Sequence, residues 1–296
     1  MAKSAFLKSS IAKKYWMALT GLFLCLFLVG HLLGNLQLLM GSKSEAALQF
    51  NKYALFMTTN PAVKLLSYLT YISIIFHAID GIYLAIQNKK ARPVAYAMNN
   101  PSKNSSFSSR NMAVLGTVVL IFIATHMVNF WAKMHFANNF PLQYVTVNMN
   151  GQKQDLYITT NEGYIPVNQI GKNFEEAGKL GTPNYIDNKT EFYNSQAKVK
   201  IGEGYKDLHK VTYAFFKSKG KLFNIIPNEG LFFTLFYVLS MVVLGFHLWH
   251  GFQSAFQSLG VNGKFTPAIK VFGKAFSVIV SILFAIIPIY IHFFSK

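Results

Sequence analysis

The stretch YWMALTGLFLCLFLVGHLLGNLQLLM, residues 15–40, contains no Asp, Glu, Lys or Arg. A helix needs about 20 mostly apolar residues to cross the hydrocarbon core of a bilayer, so this stretch predicts a transmembrane helix. The basic residues before it resemble the start of a signal peptide, but the apolar run is too long and lacks a small-residue cleavage site. We therefore expect a retained helix, preceded by a segment at Phe6–Ile11 that lies along the membrane surface.

Four more stretches have the same character. The chain of 296 residues is 52% hydrophobic and 13% charged, against about 25% charged residues in soluble domains. We predict an all-α membrane protein with five transmembrane helices, four of which form a bundle. The predicted helices are Tyr15–Met40, Lys64–Ile86, Asn111–His135, Gly230–Phe256 and Ala268–Phe294.

The net charge of +17 is explained by membrane topology better than by nucleic acid, because the chain has no motif for binding DNA or RNA. Basic residues concentrate at the N-terminus and between helices two and three, which places these segments in the cytoplasm. With five helices the C-terminus then lies outside. The basic residues between helices two and three are Lys89, Lys90, Arg92, Lys103 and Arg110.

The connection at residues 136–228 is long, polar and predicted to face outside as a loop or small cap. It separates residues 1–135, with helices one to three, from residues 229–296, with helices four and five. Within it we predict strands at Gln143–Val147 and Asp155–Thr160 and a helix at Tyr205–Phe216. The single cysteine, Cys25, cannot hold an iron–sulfur cluster, so any such cluster belongs to a partner.

Four predicted helices each carry one histidine deep inside, and ionisable residues at that depth usually mark a pathway or a ligand site. His31 and His126 lie about 24 and 22 Å from the cytoplasmic ends of their helices, and His77 and His247 about 16 and 14 Å. These depths form two pairs, as two stacked bis-histidine haems require. For any one histidine, a neutral ring that bonds a neighbouring helix is an equal alternative.

Two further patterns bear on these histidines. Glycines lie beside or one turn after three of them and offer room for a porphyrin, although glycines also favour close helix packing without haem. In HLWHG (247–251), His247 and His250 point about 60° apart and cannot both bind one iron from the same side, so only one of them is expected to be a ligand. The glycines are Gly30, Gly34, Gly81 and Gly251.

Several stretches together resemble one family, the single-polypeptide, five-helix di-haem cytochrome b anchor of succinate dehydrogenases and fumarate reductases. The resemblance covers the whole bundle. The matching stretches are KKYWMALTGLFLCLFLVGHLLGNLQLL (13–39), NKYALF (51–56), FHAIDGIYLAIQNKKARPVAY (76–96), THMVNFWAKMHF (125–136) and GFHLWHGFQSAFQSLG (245–260).

The resemblance implies two haems b, with His31 and His126 as axial ligands of the outer haem and His77 and His247 of the inner one. It implies a bacterial cytoplasmic membrane, a flavoprotein and an iron–sulfur protein as partners, and a quinone, expected to be menaquinone, as exchangeable substrate. The long cap departs from the family pattern. Candidate contacts for propionates or quinone are Asn35, Gln37, Lys89, Arg92, Trp131, His250 and Gln253.

The remaining ionisable residues have less specific interpretations. Asp80, one turn after His77, either moves protons or bonds a propionate, or it pairs with Lys89, Lys90 or Arg92; the ion pair is the favoured interpretation. His135 and His292 are expected to anchor helix ends at the membrane surface, and His209 to be solvated in the loop.

Two other functions remain open from the sequence. A di-haem cytochrome b of a hydrogenase or formate dehydrogenase shares the bis-histidine arrangement but docks a different soluble enzyme. A proton-coupled transporter uses the buried histidines and Asp80 as a relay and contains no haem.

Overall fold

The computed structural model describes residues 10–91, 93–94, 98, 100–149 and 151–295. Five of its helices are long and apolar enough to cross a membrane, which confirms the predicted all-α membrane architecture and makes the chain a multi-pass membrane protein. Most of the predicted surface segment Phe6–Ile11 lies outside the described residues. The helices, here the first to fifth spans, are Ile11–Met40, Pro61–Lys90, Met112–Phe136, Glu229–Ser258 and Thr266–Phe294.

The second span begins earlier than its hydropathy indicates, because polar residues fix its start. The Asn60 side chain accepts hydrogen bonds from the backbone N–H groups of Ala62 and Val63, and Pro61 occupies the first helical position. An asparagine cap followed by proline is a favoured helix start, because the asparagine oxygen accepts from N–H groups that have no partner within the helix and proline has no N–H to leave unpaired.

The first four spans form a ring in which each span packs against the next, and the fourth closes the ring against the first. The first and third spans are therefore diagonal partners, and so are the second and fourth. The fifth span packs outside the ring, against the fourth and first spans. The buried core between these three spans includes Cys25, Leu32, Met241, Leu248 and Val280.

Two spans contain a stretch of π-helix near the end of the bundle at which residues 136–228 connect the third and fourth spans. In the third span, Met127–Ala132 is π-helical directly after His126. In the fifth span, Tyr290–Phe294 is π-helical just after Pro288, because proline lacks a backbone N–H and disturbs the α-helical hydrogen bonds around it. Such π-helical segments recur at functional sites, which makes the one beside His126 notable.

The connection between the first two spans contains a helix, Ser44–Thr59, which the sequence analysis did not predict. A short 3₁₀ helix, Leu36–Met40, ends the first span, and Gly41 follows with φ of 96°. Only glycine adopts this backbone conformation without strain. The chain therefore turns sharply at Gly41, and Ser44–Thr59 lies against the bundle end.

The connection between the third and fourth spans is a small folded cap, as predicted. Its first sheet is antiparallel in the order β1 (Tyr144–Met149), β2 (Gln152–Ile158) and β3 (Tyr164–Pro166), close to the two predicted strands. A second antiparallel sheet was not predicted; it contains β4 (Asn184–Asp187), β5 (Glu191–Asn194) and β6 (Val199–Glu203).

Two short α-helices complete the described part of the cap, and they have different roles. Phe174–Leu180 packs beside β4, while Leu208–Lys217, near the predicted Tyr205–Phe216, packs on the fourth span and on helix Ser44–Thr59. The core of the cap consists of Leu142, Ile170 and Phe192, which is fully buried. We call this end of the bundle the cap end and the other end the loop end.

A buried polar network joins the cap to the bundle. The Asn51 side chain donates to Gln143 Oε1 and to Asp207 Oδ1, both at 2.9 Å, and its oxygen accepts from the backbone N–H of His209 at 3.0 Å. His209 Nε2 lies 3.1 Å from the Gly41 carbonyl oxygen. The prediction that His209 is solvated is wrong: its side chain stacks on a tyrosine ring and is 4% exposed.

We expect Asn51→Ala to lower the free energy of unfolding of the cap end by about 2–5 kcal/mol. The change leaves the Asp207 carboxylate, the Gln143 amide and the His209 N–H without their buried partner. The effect is measured by thermal unfolding that is monitored through the protease sensitivity of residues 136–228. Asn138→Ala, at an exposed position, is the control and should change little; equal melting of both variants contradicts the role of the network.

The cap end should also lose stability in acid. Burial holds the pKa of His209 below its ordinary value of 6.5, while the hydrogen bond to Gly41 and the charge of Asp207 oppose this shift. The unfolded chain thus binds a proton that the folded cap binds poorly. The stabilisation is complete above pH 6.5 and is lost as the pH falls from there toward the folded pKa. His209→Gln should flatten this pH dependence of the melting temperature; an unchanged slope argues against it.

Candidate functional site

The four deep histidines form two pairs inside the bundle, with the partners that the sequence analysis expects. The ring centroids of His31 and His126 lie 5.8 Å apart with the planes at 85°, and those of His77 and His247 lie 6.2 Å apart at 70°. His31 and His126 come from the diagonal first and third spans, and His77 and His247 from the diagonal second and fourth. Within each pair, the two histidines therefore face each other across the bundle.

These distances suit two imidazoles on opposite sides of one metal ion. An imidazole nitrogen binds a first-row metal at about 2.0–2.1 Å. Two such bonds, together with the distance from each nitrogen to the centre of its own ring, place the two ring centroids about 6 Å apart. A haem iron takes only two ligands from the protein, because the porphyrin supplies the others. Among the described residues, no group of three or more His, Cys, Asp or Glu side chains is placed to hold a metal ion.

Two glycines that the sequence analysis did not select lie against the second pair. A Cβ atom added to Gly21 would lie 3.1 Å from Cε1 of His77, and one added to Gly116 would lie 3.4 Å from Cε1 of His247. Both positions therefore leave space that an alanine would reduce. The first span thus supplies His31 to one pair and a glycine to the other, and the third span does the same with His126.

The glycines that the sequence analysis selected have other neighbours. A Cβ on Gly34 would lie 2.5 Å from the Tyr53 ring, so this glycine lets helix Ser44–Thr59 approach the first span. A Cβ on Gly81 or Gly251 would meet only the flexible end of a methionine, at 3.7 and 3.5 Å, and one on Gly30 would meet nothing within 4 Å. An added Cβ at Gly81 or Gly251 would therefore meet no histidine ring within 4 Å.

The sequence does contain a signal for the two glycines that matter. In GLFLCLFLVGH (21–31) and GTVVLIFIATH (116–126) a glycine precedes a histidine by ten residues. Ten residues of helix span about 15 Å. The repeated spacing therefore puts the two pairs about 15 Å apart along the bundle, in separate layers.

The Nδ1 atoms of the four rings differ in their partners. His31 Nδ1 lies 3.4 Å from the Asn35 side-chain nitrogen, and His77 Nδ1 lies 3.4 Å from Thr20 Oγ1. The Nδ1 atoms of His126 and His247 are buried and have no hydrogen-bond partner among the described residues. Buried polar atoms are rarely left unpaired, so one ring in each pair has an unused nitrogen of the kind that binds a metal or a ligand.

Aromatic rings surround the pair nearer the cap. Phe27 stacks on His31 at 5.3 Å between centroids, and Phe122 stacks on His126 at 5.8 Å. Buried Tyr237 lies 6.0 Å from His126, and its hydroxyl accepts a hydrogen bond from the Asn129 side chain at 3.2 Å. Aromatic walls with a few polar groups suit a flat, largely apolar cofactor.

The predicted propionate and quinone contacts are dispersed. Asn35 bonds the backbone carbonyl of His31 as well as approaching its ring, and Trp131 donates to the Tyr71 hydroxyl at 2.9 Å. Gln253 lines a small pocket between the loop-end halves of the fourth and fifth spans. Gln37 and Lys89 lie at opposite ends of the bundle, and Arg92 lies outside the described residues.

The ion pair favoured for Asp80 is not formed with either neighbouring lysine: among the described residues, neither Lys89 nor Lys90 pairs with it. A helix carries Lys89 and Lys90 two turns or more beyond Asp80, out of reach of its short side chain.

His292 binds the cap instead of only marking the membrane surface, since its Nδ1 lies 2.6 Å from the Phe216 carbonyl oxygen. His135 stacks on Trp131.

An open groove lies where the cap meets the bundle. It encloses about 380 Å³ between the end of the third span, residues 137–141, the cap helix Leu208–Lys217 and the start of the fourth span. Phe140 and Phe215 give it apolar walls, and Lys133 and Glu229 give it charged ones. Glu229 accepts a hydrogen bond from Ser218 Oγ at 3.1 Å. Apolar walls with a few polar groups are typical of small-molecule sites.

Comparison of the chain with protein-family models, with curated proteins and with solved structures finds no match.

Proposed function

We propose that this protein is a di-haem cytochrome b, the membrane anchor and quinone-reactive subunit of a succinate:quinone oxidoreductase. The observation that carries the haem proposal is the meeting of His31 with His126, and of His77 with His247, across the diagonals of one four-helix ring. A haem-free transporter gives no reason for two such pairs with spacings near 6 Å.

The residues of the chain fit two haems b. Bound between the pairs, these haems would carry electrons along the bundle between an iron–sulfur protein and a quinone. His31, His126, His77 and His247 would hold the two irons, and a haem with two protein ligands would have no open coordination position, which favours electron transfer over oxygen chemistry. Gly21 and Gly116 leave space beside the second pair, and an aromatic ring stacks on each histidine of the first pair.

The choice of partner rests on the resemblance in sequence and on charge. The loop end has many lysines and arginines and no acidic residue from Gly81 to Met112 or from Ala255 to Ala275. A uniformly basic face attracts a partner with an acidic docking surface. We assign the loop end, with the N-terminus, to the cytoplasm of a bacterial cell, where a flavoprotein and an iron–sulfur protein bind it. The cap and the C-terminus then lie outside.

The groove at the cap end is the quinone site that the structure supports best. A path of rings runs from His126 through Phe130 to Phe215 on the groove wall, with centroids 5.4 and 5.1 Å apart. Reducing a quinone takes two electrons and two protons. Electrons would enter the groove from the side of His126. The protons would come from Lys133 and Glu229, the ionisable groups on the groove wall.

We expect Lys133→Met and Glu229→Gln each to lower quinone-dependent electron transfer by about 100-fold, the low end of what a positioned proton donor contributes. Haem content should not change, because neither side chain contacts a histidine of either pair. Lys210→Met, at an exposed lysine of the same cap helix, is the control. A full rate in both groove variants, measured with a soluble quinone analogue, removes the groove from the pathway.

The proposed function is tested by purification in mild detergent, an absorption spectrum and identification of the co-purifying chains. Two b-type haems per chain together with a flavoprotein and an iron–sulfur protein support it. Two haems with the subunits of a hydrogenase or formate dehydrogenase keep the cytochrome and reassign its enzyme. A folded, colourless protein rejects the cytochrome proposal and favours a transporter.

A further inference from the structure

We infer that residues Ser218–Asn228, here called the finger, insert into the lipid leaflet on the cap side of the membrane. The finger connects the last cap helix to the fourth span. Its tip lies apart from the histidine pairs, and only its first residue, Ser218, also lines the groove of the proposed quinone site.

The backbone holds the finger in a defined shape. Backbone N–H groups of Gly230 and Glu229 donate to the carbonyl oxygens of Ser218 and Gly220, both at 2.9 Å, and Leu222 donates to Ile226 at 2.9 Å. These bonds join the two strands of the finger from base to tip. At the tip, Phe223 and Asn224 have φ of 53° and 59°, so the chain reverses there and directs the side chains around it outward.

The tip is apolar and unusually exposed. Phe223 is 82% exposed and Ile225 is 79% exposed, which places them among the most exposed large hydrophobic side chains of the described residues. Exposed apolar groups that cluster at one point mark an interaction site. Lys219 and Lys221 precede the tip, and no Asp or Glu occurs between residues 208 and 228. An apolar tip with lysines beside it matches segments that bind anionic lipid surfaces.

The position of the finger decides between lipid and another occupant. The fourth span begins at Glu229, directly after the finger, so the finger base lies where that span enters the bilayer. The base cannot shift far: a Cβ on Gly230 would lie 2.4 Å from the Phe216 carbonyl oxygen, and Lys217 donates to the Ser295 carbonyl at the end of the fifth span. Lipid is therefore the apolar phase adjacent to the tip.

Spin labels test the insertion in the full chain, purified with its bound partners and placed in nanodiscs of phosphatidylcholine and phosphatidylglycerol. Cys25→Ala removes the only cysteine, and Phe223→Cys then carries a nitroxide at the tip. We expect collisions with oxygen to dominate over collisions with an aqueous nickel chelate. Phe174→Cys, on an exposed cap residue away from the spans, is the matched control and should give the opposite ratio. Ile225→Cys provides a second tip position if the first variant does not fold.

The lysines supply a second measurement. Each lysine near an anionic surface strengthens binding about fivefold. Lys219→Glu with Lys221→Glu should therefore lower the ratio of oxygen to nickel collisions at the tip at least about fivefold with phosphatidylglycerol, and less in phosphatidylcholine alone. A tip label as accessible to the nickel chelate as the label at residue 174 overturns the inference. A tip shielded only when a soluble protein is added assigns the finger to a protein partner and overturns it as well.

Discussion

Replacing His126 by alanine is expected to halve the haem b absorbance of the purified protein. His126 and His31 form the pair nearer the cap, and under the proposed function removal of either one would leave the haem of this pair with a single protein ligand. The second pair lies about 15 Å away along the bundle and should keep its haem. His31→Ala should therefore give the same half-loss as His126→Ala, and combining the two should remove no more haem than either one alone.

The second pair should behave in the same way and independently. His77→Ala or His247→Ala should remove the other half of the absorbance, and His126→Ala with His247→Ala should give a colourless protein. His250→Ala is the control, because His250 lies one turn from His247 but outside both pairs; both haems should remain. Loss of all haem in a single variant, with the protein still folded by circular dichroism, contradicts two separate sites.

A valine at Gly21 is expected to remove only the haem of His77 and His247. The Cβ would lie 3.1 Å from His77 Cε1, and the two γ-methyl groups would require the imidazole to move. Absorbance should fall by half, and redox titration should lose one of its two transitions. Gly116→Val should act on the same haem through His247, where the corresponding distance is 3.4 Å.

Gly81→Val is the matched control, because the sequence pattern selects Gly81 while the structure does not. Its Cβ would meet only the flexible end of Met17, at 3.7 Å, so both haems should remain. If Gly81→Val loses the haem and Gly21→Val keeps it, then the sequence pattern is the better guide and the side-chain geometry around His77 changes when haem binds.

The membrane part of the fold could be predicted from the sequence because a helix needs about 20 mostly apolar residues to cross the bilayer. Apolar length alone located all five spans, as for residues 15–40, and the depth of each histidine along its helix gave the partner that it meets in space. Depth is a one-dimensional quantity that rise per residue supplies. The start of the second span was missed by a few residues because Asn60 and Pro61, and not hydropathy, determine it.

What could not be read depends on contacts between distant residues. Whether a glycine faces a ring is a matter of helix rotation and packing, so Gly21 and Gly34 look alike in sequence while one contacts His77 and the other Tyr53. The second sheet of the cap has strands of only four or five residues of mixed polarity, too short for a clear period-two pattern. His209 looked solvated because its buried partners Asn51 and Gly41 precede it by 158 and 168 residues.

The Asn51 network also constrains the order in which the protein is made. Asn51 leaves the ribosome 156 residues before Asp207, to which it donates a hydrogen bond. Contacts of such separation form late, because the closure of a long loop precedes them. Three spans are synthesised before the cap is complete, so the polar face of helix Ser44–Thr59 stays exposed to water at the membrane surface until then. Docking of the cap is therefore a late assembly step, and translation that stops within residues 136–206 leaves three inserted spans without a docked cap and without the fourth span, which begins at Glu229.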